Sequence, residues 1–126
     1  MSPSKVAEMV ERALLTAEPN WAACPGGPYP DAETQRAYAA DQLRQFRNAQ
    51  LSPPRRESVY LEQAMAGPDG VEGWQDVWFV TLGQQSVFYD EFTQSYGVAW
   101  DTLGKNDRWY TDLGFRDDDP LELFNA

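Results

Sequence analysis

The chain has 126 residues, 42% of them hydrophobic and 24% charged, and its ten basic against twenty acidic residues give a formal net charge of −10. That length suits one domain, residues 1–126, with a core of its own, while the acidic excess argues against phosphate backbones and anionic membranes as partners. The complete lack of histidine removes the commonest general base, the commonest transition-metal ligand and every Ser-His or Cys-His nucleophilic pair.

Charge and aromatics are unevenly spread. Residues 1–56 carry 7 Lys+Arg and 6 Asp+Glu, a net of +1, whereas residues 57–126 carry 3 and 14, a net of −11. The second part also holds Trp74, Trp78, Trp100 and Trp109, four of the five tryptophans. Acid beside aromatic points to a folded, negatively charged surface, because disordered acidic tails are poor in aromatics. A single cysteine, Cys24, excludes an internal disulfide framework and fits a reducing compartment. With no base to activate it, its thiol is expected to be inert. Glu8, Glu11 and Arg12 break up any apolar signal-peptide core, and nothing approaches the ~18 apolar residues of a membrane span, so a soluble cytoplasmic protein is expected.

In chain order, residues 3–17 read as a helix. Val6, Met9, Val10, Ala13, Leu14 and Ala17 form one apolar stripe, Ser2 can cap it, Pro3 suits the first position and Pro19 stops it. Residues 19–30 are a loop rich in proline and glycine, which Trp21 is expected to pin to the core. Asp31 then caps a second helix to about Gln50, with Ala32, Ala39, Leu43, Phe46 and Gln50 on one face. Arg36, Arg44 and Arg47 border that stripe and are expected to pair with the acidic half rather than hold an anion.

Residues 53–66 read as a short third helix, with Ser52 as cap, prolines in the first turn and Gly67 past the end. Val59-Tyr60-Leu61 offers a strand as the alternative. Gly67-Pro68-Asp69-Gly70 is a turn. From Gln75 the period changes: Val77–Leu82 reads as a central strand, followed by strands over 86–92, 96–101 and 108–113. A hairpin-like turn at Gly104-Lys105-Asn106-Asp107 joins the last two. Residues 115–126 form a tail whose Leu121, Leu123 and Phe124 can fold back, and its Asp117-Asp118-Asp119 reads as a solvated turn, since the spacing fails the calcium-loop pattern. The fold class is therefore α+β: two or three helices in residues 1–56, packed on one face of an antiparallel meander of about four strands in residues 75–114. One core is expected to join Val6, Met9, Val10, Leu14, Leu43, Phe46, Val77, Phe79 and Trp100.

No phosphate-loop, dinucleotide or zinc signature is present, and no cofactor or metal is expected. Candidate site residues lie in the meander. Alternation puts Asp90 on the face of Phe88 and Phe92, and Glu91 on the face of Val87 and Tyr89, so one carboxylate shares its face with buried aromatics. Asp101 after Trp100 and Asp112 after Tyr110 repeat the theme, and Tyr96 can join them. Two functions fit. The first is a protein-binding module of inhibitor or immunity type, whose acidic, aromatic face meets a basic partner. The second is a small-molecule binder or a carboxylate-based enzyme with an aromatic-lined pocket in a curved sheet. For the second, the element order is similar to the cone-shaped cystatin-like folds in architecture only. A closed pocket that takes in Asp90 or Glu91 would favour the second function, and a filled core with acid and aromatic outside would favour the first.

Overall fold

The computed structural model describes residues 1–27, 30–68, 70–104 and 109–124. Helix α1 spans Pro3–Leu14, with the Ser2 side chain accepting from the Lys5 amide. It ends a turn earlier than the stripe predicts, and its Val6, Val10 and Leu14 are buried. A single 3₁₀ turn covers Trp21–Ala23, and α2 spans Ala32–Ala49 with Asp31 as its cap. The polypeptide passes without a loop from α2 into strand β1, Gln50–Leu61. The four-residue helix α3 (Gln63–Ala66), β2 (Gly73–Thr81), β3 (Gln85–Asp90), β4 (Ser95–Asp101), β5 (Tyr110–Asp112) and the four-residue helix α4 (Pro120–Leu123) follow.

The third predicted helix is thus mostly strand. Its two prolines resemble a helix start, yet they lie where the β1–β2 register shifts, between Gln50 and Arg55. Proline is tolerated there because no ladder hydrogen bond is asked of it. From Arg55 to Leu61 the pairing with β2 is continuous, and Val59, which is buried, favours it as a β-branched residue.

The sheet differs from an open meander in one more respect. Its five strands close into a barrel in the order β1-β2-β3-β4-β5. Neighbours in a meander alternate in direction, so the first and fifth strands run the same way, and β1 joins β5 in parallel at Tyr60–Thr111 and Leu61–Asp112. Closure divides the apolar residues into two clusters. Val59, Val77, Phe79, Phe88 and Ala99 fill the inside, with Leu51 and Tyr110 packed against them. The Tyr110 ring meets Phe79 edge-on at 4.7 Å. Gly97 is needed on this face, because a Cβ there would come within 2.4 Å of the Phe88 ring.

The second cluster lies outside the barrel wall. Trp78, Val80, Val87, Tyr89, Tyr96 and Val98 are covered by Val6, Val10 and Leu14 of α1, Phe46 of α2, and the tail. Leu121, Leu123 and Phe124 do fold back, with Phe124 edge-on to Phe46 at 5.4 Å. The single core expected from Val6 through Val77 and Phe79 is therefore two, and Trp100 lies partly exposed at the surface. Met9 and Leu43 pack at the border of the helix-covered cluster.

Phe46 is the only fully buried residue of α2, and Ala32 is exposed. The first half of this helix packs instead on the proline-rich loop, where Trp21 meets Tyr38 at 5.8 Å and the Tyr38 hydroxyl donates to the Asn20 carbonyl. Trp21 pins the loop to α2 rather than to the core. Cys24 is buried in the same loop. Two of the α2 arginines pair within the N-terminal half instead of with the acidic half: Arg47 with Glu11, and Arg44 with Asp41. The aspartates of the tail are also more ordered than a solvated turn. Asp117 bridges backbone to backbone with Tyr96, and Asp119 caps α4 while accepting from the Glu18 amide at 2.7 Å. Lys105-Asn106-Asp107 of the predicted hairpin, Arg108 at the start of the predicted fourth strand, and Asp69 of the earlier turn lie outside the described residues.

Candidate functional site

The six candidates lie in four separate environments. Asp90 and Asp112 are inward-facing and fully buried at the ends of β3 and β5. Arg116 lies between them. Its Nε donates to Asp90 Oδ2 at 3.1 Å, and its two terminal nitrogens donate to the Asp112 oxygens at 3.0 and 2.7 Å. Asp90 Oδ1 also accepts from Gln75 Nε2 at 2.5 Å and from the Phe92 amide at 2.9 Å. The guanidinium lies over the Phe88 ring, 5.0 Å from its centroid. Burial works to lower the Arg116 pKa, but hydrogen bonds and charge from Asp112, then Asp90, outweigh it and hold the pKa above its ordinary value. Two carboxylates thus share one guanidinium at this end of the barrel, and their oxygens take up its donors.

Glu91 follows the end of β3 and is part-exposed. It accepts from the Trp78 indole, pairs with Arg56 at 3.0 Å, and lies 3.9 Å from the N-terminal ammonium. The Trp78 hydrogen bond is the main cause of its lowered pKa, with the ammonium and Arg56 adding to it against desolvation. Tyr96 is buried under the helices beside Tyr89, at 5.4 Å between ring centroids. Burial, helped by Tyr89 and Asp119, pushes its pKa up to about 12. Trp100 and Asp101 belong to the opposite end of the barrel from Asp90, since Trp100 pairs with Gln85 whereas Asp90 pairs with Ser95. There Asp101 accepts from the Leu103 amide at 2.8 Å and shapes a turn.

The acidic, aromatic surface lies on the uncovered outer wall of β1 and β2. Along β2 the inward residues Gln75, Val77 and Phe79 alternate with Trp74, Asp76, Trp78 and Val80, which face out. The helices cover Val80 and Trp78 but stop short of Asp76 and Trp74. Across the ladder, Ser58 pairs with Asp76 and Tyr60 with Trp74. The Ser58 hydroxyl donates to Asp76 at 2.6 Å, and the Tyr60 ring meets Trp74 edge-on at 5.2 Å.

Trp74 separates two depressions. On one side is a groove of about 870 Å³, whose lining includes Val71, Glu72, Asp76 and Phe92 and the paired Asp90–Arg116 and Glu91–Arg56. On the other is a notch of about 360 Å³, lined by Glu57, Ser58, Trp109 and Tyr110. Phe92 is 90% exposed, Val71 83%, Trp109 62% and Trp74 55%. Soluble surfaces tolerate scattered apolar residues, but several around one groove mark an interaction surface. Sequence reasoning singled out none of Val71, Trp74, Asp76 and Phe92 as site residues. The signal was present in the alternation Trp74-Asp76-Trp78, which extends β2 toward its start, beyond the apolar run at Val77. Among the described residues no group of acids could hold a metal ion, and no helix is long and apolar enough to cross a membrane.

Comparison of the chain with models of known protein families, with curated proteins and with solved structures finds no match.

Proposed function

We propose that the chain is a protein-binding module of inhibitor or immunity type, which meets a basic partner with the outer wall of β1 and β2. One observation supports this reading above the alternative: the barrel is filled, and acid and aromatic lie together outside it. Inside, Phe79, Phe88 and Tyr110 pack on one another, and Arg116 occupies the end where Asp90 would have to serve as an acid or base. Outside, Trp74, Val71 and Phe92 border an open groove that also carries Glu72 and Asp76; Asp90 and Glu91 reach the same groove, but there Arg116 and Arg56 hold them. Long-range attraction from the acids speeds encounter with a cationic partner, and the aromatics then slow its release.

Immobilised protein tests the reading. A basic protein should be retained, should elute as rising salt screens the acids, and should be retained far less by the double variant Glu72→Lys/Asp76→Lys. Retention that ignores both salt and the double variant contradicts the proposal.

A further inference from the structure

We propose that Trp74 and Asp76 form a seat for an arginine side chain of the partner protein. This rests on the reading of the outer wall as a protein-binding surface and gives that partner a chemistry. Three observations carry it.

The first is a repeated construction. Arg56 lies over the Trp78 ring at 5.0 Å while pairing with Glu91. Arg116 lies over the Phe88 ring at 5.0 Å while pairing with Asp90 and Asp112. Each places a guanidinium on an aromatic face with a carboxylate at its edge. Trp74 and Asp76, two residues apart on the same outer wall, supply the ring and the carboxylate. Among the described residues no cation completes the set, because Arg55 is held by Glu57, Arg56 by Glu91 and Arg116 by the barrel end.

The second is access. The Trp74 side chain borders both the groove and the notch, and the Tyr60 ring meets it edge-on. With Trp74 55% exposed, a flat cation can approach the indole from solvent, where ring quadrupole and charge attract each other.

The third is charge and orientation. Glu57, Glu72 and Asp76 line the depressions beside Trp74, and among the described residues only Glu57 has an arginine of its own. The Ser58 hydroxyl already fixes the Asp76 carboxylate at 2.6 Å, and a carboxylate has further lone pairs to offer a donor. Guanidinium suits this pair better than ammonium, since it stacks flat on a ring and still donates from its edge.

The test uses the full chain labelled with ¹⁵N and a capped pentapeptide, Gly-Gly-Arg-Gly-Gly, with the citrulline peptide as a neutral isostere. Each tryptophan indole N–H gives one resonance, and Trp74→Leu identifies that of Trp74. The arginine peptide should shift the Trp74 resonance with millimolar affinity, leaving those of Trp21 and Trp100 in place. Asp76→Asn, which keeps the Ser58 contact and the Trp74 ring, should weaken the effect about two- to five-fold, the range of one exposed ion pair. The seat is overturned if the resonance does not move by ~20 mM peptide, if the citrulline peptide moves it equally, or if Asp76→Asn changes nothing. A silent arginine titration beside a partner that is still lost on Glu72→Lys overturns the seat and leaves the binding surface standing. A silent titration with no salt-sensitive partner overturns both.

Discussion

Arg116 Nε donates to Asp90 Oδ2 at 3.1 Å across 26 positions of sequence, and this contact turns a candidate catalytic acid into part of a closure. With Asp112 held by the same guanidinium, two buried carboxylates share one cation. Breaking such a set from one side leaves charge buried without a partner and costs about 3–5 kcal/mol. Arg116→Met should therefore lower stability by about that amount in urea unfolding at neutral pH. A loss within experimental error would mean that water already reaches the carboxylates.

Phe46 offers a second test, because it is the buried residue by which α2 joins the outer cluster, with Leu43 and Ala49 packed at the border. It is fully buried and lies edge-on to Phe124. Phe46→Ala should cost about 3–5 kcal/mol, and Leu14→Ala on α1 about 2–5. Phe92→Ala, by contrast, should change stability by less than about 0.5 kcal/mol, as surface changes do. Thermal or denaturant unfolding of the three variants checks the order.

The α1 stripe could be read from its sequence because Val6, Val10 and Leu14 need only a period of 3.6 to be recognised. The strands after Val77 were legible for the same local reason. What escaped is long-range. Ser52-Pro53-Pro54 and Gly67 carry helix start and stop signals, and only pairing with β2 turns the segment between them into a strand. Alternation placed Asp90 and Phe88 on one face, but whether that face was inside depended on barrel closure, in which β1 meets β5 about fifty residues away in sequence. Arg116 has no periodic signature to announce that it serves Asp90. The make-up of the outer surface was half legible: acid and aromatic do lie together on it, and helix coverage decided which of them remained exposed.

Tyr96 makes stability depend on alkaline pH. Its pKa is pushed up to about 12 by burial first, then by Tyr89 and Asp119, against ~10 for an unfolded chain. A raised folded pKa means that the contribution is complete below pH ~10 and disappears as pH rises toward ~12, because the unfolded state ionises first. The shift corresponds to about 2–3 kcal/mol. Tyr96→Phe should thus be less sensitive than wild type between pH 10 and 12 when urea midpoints are compared. Parallel losses in the two proteins would show that other groups govern alkaline unfolding.

The outer wall of β1 and β2 carries the functional prediction. Glu72 and Asp76 border the groove with no cation of their own among the described residues, and like charges on a compact acidic chain repel one another. Glu72→Lys/Asp76→Lys should therefore leave the melting temperature unchanged or slightly higher, which separates a binding defect from a folding defect. With a captured basic partner, the same double variant should slow association about ten-fold or more at low salt and flatten its salt dependence, since surface charge acts chiefly on encounter. Trp74→Ala should act differently. Removing an anchor raises the dissociation rate and leaves association nearly constant. Stopped-flow measurements at two ionic strengths distinguish the two effects. If Glu72 and Asp76 change only the off-rate, or Trp74 only the on-rate, then acid and aromatic do not divide the work as their positions on the wall imply.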